Sequence, residues 1–243
     1  MFPHRRILGV RIDAATYESA TRQVLDWARA GESRYVCCAA VNNIIEARDS
    51  RDYAAVMEQA DLVTSDGMPL VWTLKSLGIP QATRVYGPDL TPLVIEAAAQ
   101  ERIPVALYGG TPQVLARLQD RFEIAYAEAP PFRPPTPEED ARTTQAIIDS
   151  GARIVFIGLG SPKQDRWMHA HRGKIPAVMI GVGAAFDFLA GVKPQAPHWM
   201  QNSGLEWSFR LSTEPRRLWS RYLKQNPRFA LLALTQILRT RLT

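Results

Sequence analysis

Cysteine is almost absent from this 243-residue chain. Only Cys37 and Cys38 occur, side by side. Neighbours on a strand point to opposite faces, so the pair is not placed to bridge. Two adjacent cysteines also lack the spacing of a zinc site, and a reducing compartment follows as the expectation. No window holds the roughly 18 to 20 apolar residues that cross a bilayer. The opening MFPHRRILGVRIDAAT has basic residues but no apolar stretch of signal length. No G-x-G-x-x-G fingerprint and no glycine loop ending in G-K-[ST] occurs, which speaks against a dinucleotide fold of the usual kind and against an NTPase loop. Acid is scarce at one end: residues 193–243 hold nine Lys/Arg against two Asp/Glu, and the rest hold twenty against twenty-two. The overall charge of +5 is therefore a property of the last fifth of the chain. Such a tail suits anionic lipid, a phosphate-bearing ligand or nucleic acid, or is simply a solvated helical face.

What is present is a rhythm. Hydrophobic residues make up 46% of the chain, enough for one large domain or one domain plus an appendage. ILGVRID reads as a first short strand and TYESATRQVLDWARAG as a helix. RYVCCAAV, DLVTS, PVALYGG, ARIVFIGLG and PAVMIGVG read as buried strands with helical segments between them. NIIEARDSRDYAAVMEQA reads as one helix. IAYAEAPPFRPPTPEE carries five prolines and is expected to be largely loop. Alternation of this kind predicts an α/β fold around a mostly parallel sheet. From about residue 195 the strands stop. Thr213 and Asn226, each just ahead of a proline, look like N-caps of two further helices rich in Arg, Trp and Leu. The expected organisation is a core over 1–194 and a basic helical appendage over 195–243.

Ligands of such sheets bind at the carboxyl ends of the strands. AAVNN ends one strand on Asn42 and Asn43, TSDG another on Asp66, and YGG a third on Gly109 and Gly110. GLGSPKQD places Lys163 and Gln164 at a helix start, and GVGAAFD carries Gly183 and Asp187. Glycines there let a backbone approach a phosphate, or they are plain turn chemistry. Lys163 could meet a phosphate as a point charge, and Gln164 could hold a sugar or phosphate oxygen. The competing reading is a solvent-facing first turn capped by Ser161. Asp66 at a strand end suits a general base if an apolar setting lifts its pKa. Otherwise Ser65 or Asp66 caps the helix that follows. Arg84 in RVYGPD could return to the same crevice and grip a diphosphate, or lie at the surface. The D-x-D pair that holds a divalent metal on a sugar nucleotide is missing. His169 and His171 diverge on a helix and read as surface residues.

ADLVTSDGMPLVW, RVYGPDL, ALYGG, GLGSPKQDRWM, GVGAAFDFLAG and APHWMQNSGLEWSFRLSTEPRRLWSRY occur in this order. Together they resemble the WecG/TagA/CpsF family of glycosyltransferases, in particular its exopolysaccharide and capsule members, over residues 7–225. The resemblance implies a Rossmann-like core with a C-terminal basic helical appendage. It implies inverting, metal-independent transfer of a hexose or N-acetylhexosamine from a UDP-sugar to a polyprenyl-diphosphate-linked sugar, with no cofactor. Asp66 would be the base, with Arg84 and Gln164 in the same pocket. The appendage would bring Arg210, Arg217 and Arg221 toward the site and touch an anionic membrane, placing the protein in the cytoplasm, peripheral to the inner face of the plasma membrane. Where the family often carries T-x-N, this chain has Cys38 and Ala40, which leaves Asn42 and Asn43 to serve from one step along. Rival readings are a methyltransferase or dehydrogenase, a nucleic-acid-binding module, and a non-catalytic membrane-associated assembly partner. Nucleic acid is not an expected partner, because the tail sets Trp and Phe among leucines. The apolar helix 227–238 would serve a membrane or a homo-oligomer equally well.

Overall fold

The computed structural model describes residues 2–242. The side chains of His198, Asn202, Arg217, Arg221, Arg241 and Leu242 lie outside the described residues. The chain opens with a hairpin, β1 (His4–Ile7) and β2 (Val10–Asp13), paired antiparallel. The first segment is thus two strands around a Leu8-Gly9 turn, where the sequence suggested one. Then follow α1 (Tyr17–Ala30), β3 (Arg34–Ala39), α2 (Val41–Asp49), α3 (Arg51–Glu58), β4 (Leu62–Ser65), α4 (Met68–Ser76) and α5 (Gly87–Gln100). The expected single helix after β3 is broken at Ser50, whose extended backbone ends α2 and whose hydroxyl caps α3.

The second half continues with β5 (Val105–Gly109), α6 (Pro112–Arg121), β6 (Tyr126–Glu128), α7 (Pro137–Asp149), β7 (Ile154–Gly158), α8 (Lys163–His171), β8 (Val178–Gly181) and α9 (Ala185–Leu189). Six strands form one parallel sheet in the order β4-β3-β8-β7-β5-β6. The short edge strand β6 lies inside the proline-rich stretch read as loop. Its partner β5 supplies the ladder that local sequence does not advertise.

The central strands bury both faces, and each alternates between two cores. Tyr35, Cys37 and Ala39 of β3 face the layer of α2, α3, α8 and the hairpin. Val36 and Cys38 face α1, α5 and α6. The two cysteines are free and on opposite faces of the sheet. His171 is buried, not at the surface as expected. Its ring stacks on Trp167 at 3.9 Å and meets Asp140 at 3.1 Å.

The C-terminal part holds α10 (His198–Asn202), α11 (Glu206–Thr213) and α12 (Pro215–Leu242). Two corrections apply here. Pro227 sits inside α12 and does not start a new helix. Thr213 donates its hydroxyl back to Phe209 and does not cap the next helix. α12 packs along α2 and α4. Phe229 and Ala233 enter the core, Arg228 pairs with Asp49 at 2.6 Å, and the Gln236 carboxamide bonds Leu8 N–H and the Arg6 carbonyl. The loss of one helical bond at Pro227 costs about 3 kcal/mol in an isolated helix, and this packing offsets it.

Candidate active site

Asp66 leaves the end of β4, and its N–H still bonds the Ala39 carbonyl at 2.8 Å as a last rung beside β3. The helix that follows is capped by Gly67 without any side chain. Asp66 therefore does not cap α4. Its Oδ1 accepts the N–H of Gly87 at 2.7 Å, the first residue of α5. Burial pushes the Asp66 carboxyl up to about 7. Arg84, the Gly87 bond and Arg210 oppose that rise, while Glu206 adds to it.

Arg84 reaches Asp66 through backbone placement. Val85 N–H bonds the Ser65 carbonyl at 3.0 Å, and the Ser65 hydroxyl bonds the Thr83 carbonyl at 2.8 Å. This seats residues 83–85 beside the end of β4. Arg84 Nε then donates to the Asp66 carbonyl at 2.5 Å, and the guanidinium lies 3.9 Å over the Tyr86 ring. Its Nη2 pairs with Glu206 of α11, whose other carboxylate oxygen accepts from the Tyr86 hydroxyl at 2.7 Å. Arg210, one turn along α11, stands 3.8 Å from Glu206. The turn into α11 fits closely: Gly204 has φ +73° and leaves no room for a Cβ, which would meet the Trp72 indole at 2.5 Å.

Asp66, Arg84, Glu206 and Arg210 line a cleft of about 120 Å³ that also takes in Asn42, Trp207, Tyr222, Gln225 and Asn226. Of the sequence-derived candidates, Asp66, Arg84, Asn42 and Arg210 share it. Arg217 and Arg221 lie outside the described residues. Glu206 and Tyr86 were not found from the sequence. Each lies some 120 positions from its partner in the chain or carries no local signal.

The other candidates gather at the ends of β5, β7 and β8. Gly109 has φ +128°, and a Cβ there would meet the Gly158 carbonyl carbon at 2.6 Å. That contact sets β5 and β7 backbone to backbone at their ends. Gln164 is buried, and its Oε1 accepts from Gly160 N–H at 3.0 Å and Gly183 N–H at 2.9 Å. One carboxamide thereby ties the loops after β7 and β8. Asn43 is also buried. Its Oδ1 accepts from Ala40 N–H at 3.0 Å, and its Nδ2 donates to Tyr53 at 2.8 Å and to Asp165 at 3.2 Å. Tyr53 donates to the same Asp165 oxygen at 2.6 Å, and burial pushes the Asp165 carboxyl up. Lys163 is exposed without a partner among the described residues, and Asp187 pairs with Lys193 at 2.8 Å. Gly110 follows Gly109 with φ +70° and packs near Phe186. The two groups of candidates meet at Gly87, which lies against Val182 just ahead of Gly183.

The protein-family model described as "Glycosyl transferase WecG/TagA/CpsF family" matches residues 5–243.

Proposed function

The chain belongs to the WecG/TagA/CpsF family of glycosyltransferases, and on that premise we propose that Asp66 is the general base of an inverting transfer from a UDP-sugar. The acceptor in this reading is a polyprenyl-diphosphate-linked sugar used in bacterial surface polysaccharide synthesis. The donor gives up a hexose or N-acetylhexosamine. The observation that carries the reading is Asp66 itself, a strand-end carboxyl held up to about 7 in a cleft beside two arginines. A base poised near the working pH combines availability with driving force.

The acceptor hydroxyl gives its proton to the Asp66 carboxylate. Its oxygen forms the new bond to the anomeric carbon from the face opposite UDP. The bond from that carbon to the β-phosphate oxygen breaks, and its electron pair leaves with UDP. Negative charge grows on the departing diphosphate. Arg84, Arg210 and exposed Lys163 are the cations proposed to favour it, together with helix N-termini. The lack of D-x-D in the sequence supports a metal-independent site. The basic C-terminal part is proposed to hold the protein at the inner face of the membrane, where a lipid-linked acceptor resides.

The test is UDP release from a panel of UDP-sugars, with acceptor and EDTA, for wild type beside Asp66→Asn. Acceptor-dependent turnover that survives EDTA and falls at least a thousandfold in the variant is expected. A folded protein that turns over no donor, yet still binds anionic vesicles, would favour the non-catalytic assembly partner.

A further inference from the structure

The cleft at Asp66 carries a second chemistry besides the base. Trp207 is 43% exposed on α11 and meets Tyr222 of α12 edge to face, 6.3 Å between ring centres. Asn42, Gln225 and Asn226 line the same cleft. Their carboxamides make no hydrogen bond among the described residues. Each offers two N–H donors and one oxygen at fixed angles. Elsewhere in the molecule, buried carboxamides are tied up, as at Asn43 and Gln164, and in the cleft itself Gln201 is tied to the Ala196 carbonyl. Three idle ones around one cleft are a wall built for a hydroxylated ligand.

The side chains of this wall, Trp207, Gln225, Asn226 and Asn42, carry no charge of their own. Arg84 and Arg210 both face Glu206, and Asp66 stands beside them. The uncharged wall therefore suits a neutral sugar better than an anion, while the two arginines remain for the departing diphosphate. The glycine-rich ends of β8 and β7 lie two and three strands from β4, at about 4.8 Å per strand. A nucleotide seated there would reach Asp66 only with its sugar.

We infer that Trp207, Gln225 and Asn226, with Asn42 across the cleft, form the subsite for the terminal sugar of the acceptor. This rests on the transfer reading given above. The ring of Trp207 would cover the apolar C–H face of a pyranose, and the amides would take paired hydroxyls. That arrangement turns one hydroxyl toward Asp66, the group that must remove its proton. Specificity for the acceptor would then reside in the C-terminal helices. A site that hydrogen-bonds a hydroxyl rejects sugars lacking it, because its polar groups are left unpaired.

The experiment uses full-length protein and water-soluble, short-chain prenyl-diphosphate-linked monosaccharides, so that membrane contact plays no part. Wild type, Trp207→Leu, Trp207→Phe, Gln225→Ala and Asn226→Ala are compared for KM of acceptor, KM of donor and Kd of UDP by calorimetry. Each alanine variant and Trp207→Leu should raise the acceptor KM by about tenfold, the worth of one net hydrogen bond or ring contact. UDP Kd should stay within about twofold, and Trp207→Phe should recover part of the loss. Weakened UDP binding with an unchanged acceptor KM would make this a nucleotide subsite and overturn the inference. So would no change in any constant. Failure of wild type to turn over any donor would instead sink the transfer reading, and the subsite with it.

Discussion

A carboxyl that titrates near neutrality is a liability that the fold has to carry. Asp66 has its folded pKa raised from 3.8 to about 7, first by burial. Between those values the unfolded chain has lost the proton and the native state keeps it. Native stability therefore falls as pH rises through that window and levels off above about 7. An asparagine still accepts the Gly87 bond and never ionises. Asp66→Asn is expected to unfold at higher urea than wild type at pH 8, with the gap closing toward pH 4. An equal gap at both pH values would show that the carboxylate carries no such penalty. In the proposed transfer, activity runs the other way, because a base at Asp66 must be ionised. Wild-type kcat/KM should rise tenfold per pH unit and level off above about 7. Glu206 pushes the Asp66 carboxyl up and Arg84 holds it down. Glu206→Gln should thus move the midpoint of the pH–rate profile down and Arg84→Met should move it up. Shifts of one sign for both variants would remove Asp66 as the titrating group.

At the scale of elements, the candidate site depends on how loops are tied. Gln164 was a candidate for holding a ligand oxygen, yet its own oxygen is taken by Gly160 and Gly183. Gln164→Leu would leave two N–H groups unpaired beside the ends of β7 and β8. Each such group costs about 1 to 3 kcal/mol, so a loss on the order of 3 kcal/mol in urea unfolding is expected. An unchanged midpoint with a raised donor KM would assign the carboxamide to the ligand alone. The sequence showed the strands here because buried parallel strands are continuous apolar runs, as in RYVCCAAV and ARIVFIGLG. It offered Asp66 as a candidate because a strand end followed by glycine is a local event, and Arg84 because it lies close by in the chain. It hid β6, the hairpin turn and the break at Ser50, each decided by a partner strand or a single backbone angle. It also hid Glu206, because nothing near GLEWSFR says that its carboxylate will meet Arg84, 122 positions earlier.

At the scale of the whole molecule, charge and apolar surface are both concentrated in the last helices. No described helix is long and apolar enough to cross a membrane. Yet Trp219, Leu223, Leu231, Leu234 and Leu238 of α12 are each more than half exposed. At about 100° per residue they fall within an arc of roughly 120°. Leu218, Phe229 and Ala233, which pack inward, occupy a different side. A helix with one stripe in the core and a second stripe bare, on a chain segment carrying a net charge of +7, suits an interface of anionic headgroups and acyl chains. Both forces are then separable. Raising salt shrinks the screening length from about 10 Å at 0.1 M to about 3 Å at 1 M, so binding to vesicles containing anionic lipid should weaken but not vanish. Leu231→Ser, Leu234→Ser and Leu238→Ser together remove about 1 kcal/mol each of half-buried side chain. Vesicle affinity should drop on the order of a hundredfold at low salt, with the urea midpoint unmoved, because these side chains do not enter the core. If the triple variant binds vesicles as wild type does while its mass in solution falls from dimer to monomer, the stripe belongs to a second copy of the chain. The basic surface alone would then be left to meet the lipid.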